Sequence, residues 1–187
     1  MRVLRSSSVE EYASWYLDRE RRKGDDRSTP SDPKQRVQTM WQDHGGKMRS
    51  WFTESTRWHL VLLDLNELAD LVFLQSDWTQ GEGLVVPGGV NYRLLNRVAE
   101  NAEISDYFLR PSAHRHKAYY DALAAGSLRL VGDDRVAVCS AERSEIQTNP
   151  RARHYLLDGV GRCLPYIVLT KAHAIEYRPV ESFLAER

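Results

Sequence analysis

Apolar positions in the first part of the chain recur at helical spacing. Tyr12, Trp15 and Tyr16 are three or four residues apart, so their rings share one face of a helix. Ser8 and Glu11, which precede them, have the S-x-x-E spacing of a capping box, in which each side chain satisfies a free backbone N–H. The pattern therefore predicts an amphipathic helix with an aromatic packing face.

A second helical pattern begins at Pro33, after the capping residue Asp32, because proline is favoured at the first position of a helix. Val37 and Trp41 lie on its apolar face. A polar connection that includes Arg19 separates the two patterns and is predicted to be a solvated helix end and loop. Residues 1–55 are therefore predicted to form a helical N-terminal extension.

From residue 56 onward, short apolar runs alternate with helical patterns. The aliphatic run 58–65 predicts a strand, and Asp64 and Glu67 then repeat the spacing of a helix cap. Further patterns predict helices over 68–74, 92–102 and 111–126, a hairpin over 128–138, a strand over 174–180 and a helix after it. The chain is thus predicted to be α+β, with a small mixed sheet and packed helices in one domain over 56–187.

Composition and charge exclude several classes of protein. The 187 residues include 26 Lys and Arg and 26 Asp and Glu, so a formal net charge of zero disfavours nucleic-acid binding. The apolar runs are too short to cross a bilayer, and no leader pattern precedes residue 20. We expect a cytoplasmic protein that does not bind membranes, with Cys139 and Cys163 as reduced, buried thiols. Association into a homo-oligomer stays open.

The segment YLLDGVGRCLPYIVL holds the strongest candidate for a binding site. Asp158 follows an apolar strand pattern, Gly159 permits a backbone angle closed to other residues, and Gly161 leaves room for a close approach. If a helix begins near Gly161 or Arg162, its free N–H groups and its positive end form an anion site. The alternative is a hairpin, with residues after Cys163 as the return strand.

Several neighbours extend this candidate site. Val160 contributes backbone to the turn, and the guanidinium of Arg162 is the candidate direct contact to the phosphate. Arg151, Arg153 and His154 are candidate auxiliary contacts to the anion. A carboxylate beside a phosphate site holds Mg²⁺ or accepts a proton from a hydroxyl, so Asp158 is the candidate catalytic base and metal ligand. Glu142 and Glu145 are substitutes for that role, on spacing alone.

Other polar groups favour ordinary structural roles. His114 and His116 lie two positions apart in a predicted helix, where side chains diverge by about 200°, so the pair does not predict a metal site. His59 stands among apolar residues. The glycines over 81–89 are not followed by the Lys-Ser or Lys-Thr of a P-loop, and they are interpreted as turn residues.

At LLDGVGR the chain resembles the ParB/sulfiredoxin-like superfamily, whose members carry an apolar strand, a D-G-x-x-R type turn and a helix. The resemblance implies that this turn binds phosphate or nucleotide, as in ParB CTPases and free-serine kinases. LVLLDLNELADL and AIEYRPVESFLAER are similar to the flanking elements. Gly161 departs from the His or Glu that many members have there, and the cysteine of sulfiredoxins is absent, so peroxiredoxin repair is not implied.

These observations lead to one expected function and one alternative. The expected function is an enzyme, a phosphotransferase or nucleotide hydrolase, that binds a phosphorylated small molecule or a nucleoside triphosphate with Mg²⁺. The alternative is a non-catalytic module on the same fold that binds nucleic acid or a partner protein.

Overall fold

The computed structural model describes residues 1–24, 29–43, 56–74, 92–100, 106–108, 110, 114–140 and 153–186. The strands are β1 (Arg2–Ser7), β2 (Arg57–Leu63), β3 (Val72–Leu74), β4 (Tyr92–Leu94), β5 (Val136–Ser140), β6 (His154–Asp158) and β7 (Val180–Glu186). The helices are α1 (Val9–Arg22), α2 (Pro33–Asp43), α3 (Leu65–Ala69), α4 (Leu95–Ala99), α5 (His114–Ala124) and α6 (Val160–Lys171).

All seven strands form one sheet, in the order β1-β2-β7-β5-β6-β3-β4. The pairs β5–β7 and β3–β6 are parallel, and the other neighbours are antiparallel. The prediction of a mixed sheet with packed helices is therefore confirmed.

Both faces of the sheet are covered, which makes the described part of the chain a three-layer structure. Along β5, Val136 and Val138 pack on one side, with residues of α5 and α6, while Ala137 and Cys139 pack on the other, with residues of α1 and α2. Successive side chains of a strand point to opposite faces, so a strand buried on both faces is apolar throughout. The continuous apolar patterns of the sequence follow from this arrangement.

The N-terminal residues belong to the same sheet. β1 pairs with β2 at the edge of the sheet, and the ring of Tyr12 in α1 stacks on that of Trp58, 4.9 Å away. Ser8 caps α1 by accepting a hydrogen bond from the N–H of Glu11, as predicted. The carboxylate of Glu11 instead binds Arg5 and Ser7, so the reciprocal half of the capping box is replaced by contacts to β1.

Two segments predicted as helices are strands in part. Residues 72–74 continue the apolar pattern of α3 in the sequence, but they form the strand β3. Val72 pairs with Tyr155 of β6, and apolar side chains that would suit a helix face are buried equally well against the sheet. Residues 92–94 form β4 next to it, and the helix starts only at Leu95.

Two predictions near the C-terminus are wrong for the same physical reason. β5 lies between β6 and β7, so it does not form the predicted hairpin with residues 128–130. Residues 180–186, predicted as a helix, form the strand β7, which pairs with β2 and β5. Pairing with distant segments outweighs the local pattern here.

None of the helices within the described ranges combines the length and the apolar character that crossing a bilayer requires.

Candidate functional site

The candidate site is the β6–α6 turn, residues 158–162, where the structure shows a strand, a turn and a helix rather than a hairpin. Gly159 has a φ of 113°, a region that L side chains rarely adopt. A Cβ on Gly159 would lie 2.7 Å from Cγ1 of Val136. Glycine is therefore required here, both for the backbone angle and for the close approach to β5.

The turn leaves the start of α6 without a side-chain cap. Gly159 occupies the capping position and has no side chain to accept a hydrogen bond from the helix. The N–H groups of Val160 and Gly161, the first two residues of α6, have no partner within the helix, and the helix dipole places positive charge there. Pro165 lies at the sixth position of α6 and has no N–H, so the carbonyl oxygen of Gly161 lacks its helical donor.

The side chain of Arg162 is buried behind the turn and pairs with Asp158. This side chain is 4% exposed, and Nη2 donates to Oδ2 of Asp158 at 3.0 Å. The same nitrogen lies 3.3 Å from the position that a Cβ on Gly159 would take. The predicted direct contact between this guanidinium and an anion is therefore not accessible in this conformation, and Arg162 instead adds charge and packing behind the turn.

Arg19 of α1 shares the same carboxylate, which the sequence reasoning missed. Its Nη2 donates to Oδ1 of Asp158 at 2.7 Å and to Oε1 of Glu20 at 2.8 Å. The guanidinium lies over the ring of Trp15, 5.1 Å from the centroid, and the side chain is only 7% exposed. The sequence predicted Arg19 in a solvated helix end, but α1 continues to Arg22 and buries it.

Positive charge is concentrated beneath the turn. Burial lowers the pKa of the Arg19 guanidinium, and the charge of Arg162 lowers it further. Burial, and then the charge of Arg19, also lower the pKa of Lys23. Two carboxylates accept hydrogen bonds from the three cations. Asp158 accepts from Arg19 and Arg162, and Glu20 accepts from Arg19 and Lys23. A third carboxylate, that of Asp134, lies 3.9 Å from Arg162. This arrangement favours an anion as the ligand.

Asp158 does not fit the predicted role of metal ligand. Its two oxygens accept hydrogen bonds from the guanidinium groups of Arg19 and Arg162, so a divalent cation would compete with two positive charges. Within the described ranges, no group of three or more His, Cys, Asp or Glu side chains is placed to hold a metal ion. Asp158 therefore positions the two arginines.

His116 reaches the turn from α5, a position that the sequence interpretation treated as an ordinary helix face. A Cβ on Gly161 would lie 2.9 Å from Cδ2 and 3.0 Å from Nε2 of His116. Its Nδ1 lies 3.2 Å from the hydroxyl of Tyr107. Gly161 itself was the available signal, since a glycine inside a helix often marks a close approach.

Other predicted site residues lie elsewhere. His154 is the first residue of β6, four residues and about 13 Å from Asp158 along the strand, and Arg153 precedes it. They line a different cavity, together with Asp64 and Glu67. The structure therefore does not bring them to the turn. Glu142, Glu145, Arg151 and the glycines over 81–89 lie outside the described residues. His59 faces Glu186, with Nε2 3.8 Å from Oε2.

In comparisons with known proteins, the chain matches no family model, no curated protein and no solved structure.

Proposed function

We propose that the chain is an enzyme that binds the phosphate group of a phosphorylated small molecule or nucleotide at the β6–α6 turn and transfers or hydrolyses it. The observation that carries the proposal is the left-handed Gly159, which starts α6 with no capping side chain directly above two buried guanidinium groups. Uncapped N–H groups and buried positive charge together are the physical requirements of a phosphate site.

The charge beneath the turn suits phosphoryl transfer as well as binding. Negative charge spreads over the oxygens of the transferred group in the transition state, and fixed positive groups stabilise it without reorganisation. Arg19 and Arg162 are held in place by Asp158 and are withdrawn from solvent, so their field is not screened by water. Asp158 has the role of a positioning residue in this scheme, and no step depends on a metal held by the chain.

The order of elements around the turn supports the ParB/sulfiredoxin-like resemblance as part of the same proposal. The residues of the D-G-x-x-R motif, Asp158 to Arg162, span the end of a strand and the first turn of a helix. In that superfamily, phosphate or nucleotide binds at the corresponding position.

The proposal is tested by thermal unfolding and calorimetric titration with inorganic pyrophosphate, ATP, CTP and GTP, each with and without Mg²⁺. A ligand at about 100 times its Kd stabilises the native state by about 2.7 kcal/mol. For a chain of this size that raises the Tm by about 5–10 °C. The nucleotide that binds is then tested for release or transfer of phosphate.

Two variants separate the site from the fold. Arg162→Lys keeps the charge but loses the fork that holds Asp158, and we expect binding to weaken about tenfold or more. Gly161→Asp places a carboxylate at the second position of α6, where it repels an anion. Because any Cβ there would lie 2.9 Å from Cδ2 of His116, Gly161→Asn, which has the same shape and no charge, is its matched control. Arg129→Lys, at an exposed arginine away from the turn, is the matched control.

Three outcomes would contradict the proposal. If no phosphate compound stabilises the wild type, the turn is not a phosphate site. If a nucleotide binds without release or transfer of phosphate, the chain is a binding module. If only oligonucleotides stabilise it, with an effect that fades as salt rises, the ligand is nucleic acid.

A further inference from the structure

A cavity of about 360 Å³ lies between the end of α5, the segment before β5 and the loop that follows α6. Its volume is within the range of about 300–1,000 Å³ that is typical of small-molecule sites. Residues 158–162 of the β6–α6 turn do not line it, so it is a separate feature of the molecule. Its apolar lining consists mainly of Leu123, Leu128, Leu130, Val131, Ile175 and Pro179.

The protein itself does not fully cover this apolar lining. Val131 is 39% exposed, and Leu128 and Ile175 pack against the main core but are only partly buried. Transfer of apolar surface from water to a hydrocarbon environment is favourable, and the gain grows with the area that is buried. A hydrocarbon group in the cavity is therefore stabilised by contacts that the chain leaves unmade.

Hydrogen bonds hold the walls of the cavity in place. The hydroxyl of Tyr166 donates to the carbonyl oxygen of Arg178 at 2.9 Å and accepts from the N–H of Arg178 at 2.7 Å, which fixes the loop after α6. In the segment before β5, the carbonyl oxygen of Leu130 accepts from the N–H of Glu181 at 2.8 Å. The cavity is therefore formed before a ligand enters, which lowers the cost of ordering the site on binding.

The charges around the cavity indicate which kind of apolar ligand fits. Three exposed charged side chains line it, those of Arg129, Glu176 and Arg178, and together they carry one net positive charge. In the parts of the chain that the structure describes, neither guanidinium forms an ion pair. An arginine fork matches the two oxygens of a carboxylate, and one carboxylate neutralises the excess charge. A phosphate dianion would leave one negative charge uncompensated near Glu176.

We propose that this cavity binds a monocarboxylate with an apolar body, of the size of a medium-chain fatty acid. The hydrocarbon packs against Leu128, Val131 and Ile175, and the guanidinium of Arg178 holds the carboxylate at the mouth of the cavity. The site goes beyond the proposed function, because none of its contacts involves the β6–α6 turn.

The test begins with calorimetric titration of octanoate, 1-octanol and octylamine into the wild type. The three probes share one hydrocarbon chain and differ in the charge of the head group. We expect octanoate to bind about tenfold more tightly than 1-octanol, as for the gain of a charge-assisted hydrogen bond, and octylamine to bind most weakly. Between hexanoate and octanoate, each added methylene should lower the Kd about fourfold, because it is buried in the cavity.

Two variants locate the binding. Ala124→Trp fills the cavity from the exposed last residue of α5 and should weaken octanoate binding about tenfold or more. Ala125→Trp, at the exposed next residue, which does not line the cavity, is its matched control. Arg178→Gln should weaken octanoate about tenfold and leave 1-octanol unchanged, because the bonds of Tyr166 are to the backbone of residue 178 and remain.

Each contrary result overturns a stated part of the inference. No octanoate binding by the wild type, or tighter binding of octylamine, would overturn the ligand class. Equal octanoate affinities of Ala124→Trp and Ala125→Trp would overturn the assignment to this cavity. Equal losses for octanoate and 1-octanol in Arg178→Gln would overturn the role of its guanidinium. The proposed function is tested separately, since octanoate carries no phosphate and these variants leave the turn unaltered.

Discussion

Replacing Asp158 by asparagine removes the one carboxylate that two buried guanidinium groups share. The side chains of Arg19 and Arg162 are 7% and 4% exposed, so neither group can recover its hydration without moving out of the fold. Asparagine retains one acceptor oxygen but no charge. The variant therefore leaves two like charges close together, with Glu20 as the remaining hydrogen-bonded anion of Arg19.

The expected loss of stability in Asp158→Asn follows from the burial of Asp158 and its two arginine partners. Removing one partner of a buried ion pair costs about 3–5 kcal/mol. Asp158 is itself 17% exposed, and its amide replacement retains one acceptor, so we expect the lower end, about 3 kcal/mol. In a chain of this size such a loss lowers the Tm by about 6–12 °C.

Urea unfolding followed by circular dichroism measures this loss. Asp133→Asn is the matched control, because Asp133 pairs with Arg22 at the surface, where the two side chains are 76% and 45% exposed. An exposed pair contributes less than about 1 kcal/mol. Added pyrophosphate should restore part of the stability of Asp158→Asn, since it supplies the missing negative charge. A loss for Asp158→Asn no larger than that for Asp133→Asn would refute the reasoning.

Three further predictions concern the turn, the thiols and the start of β6. Gly159→Ala should lower the free energy of unfolding by about 2–4 kcal/mol, measured in urea, because the left-handed angle and the contact with Val136 both penalise a Cβ. Burial raises the pKa of the Cys163 thiol to about 12, and Cys139 is also buried, so a thiol reagent at about pH 8 should label them only on unfolding. Burial lowers the pKa of His154, so the unfolded chain binds more protons. The contribution of neutral His154 to the free energy of unfolding is therefore fully present above the ordinary histidine pKa of about 6.5, and it is lost as pH falls through the folded pKa. Urea unfolding of His154→Gln should show a flatter dependence of this free energy on pH.

Each of these predictions has a clear contrary result. Unchanged stability of Gly159→Ala would show that the turn relaxes without cost. Rapid labelling of the native protein would mean that the region around the thiols opens readily. An identical acid dependence for the wild type and His154→Gln would assign that dependence to other groups.

The candidate site was predictable only in part. The sequence predicted a glycine turn after the strand that ends at Asp158, and it left open whether a helix with a positive end or the return strand of a hairpin follows. The orientation of Arg162 depends on its pairing with Asp158 and on its packing behind Gly159, which no spacing reveals. Arg19 was unpredictable because its contact with Asp158 joins residues 139 positions apart.

The sequence by itself determined the features whose energetics involve neighbouring residues: the Ser8 cap of α1, the start of α2 at Pro33, the Asp64–Glu67 capping box and the glycine turn after β6. Only the tertiary structure decided that residues 72–74, 92–94 and 180–186 are strands, and that Arg19 and His116 meet the turn. Caps and turns are stabilised by hydrogen bonds within a few residues. Strand pairing and the burial of charge depend instead on partners that the chain supplies from a distance, so the same local pattern is compatible with more than one outcome until the sheet assembles.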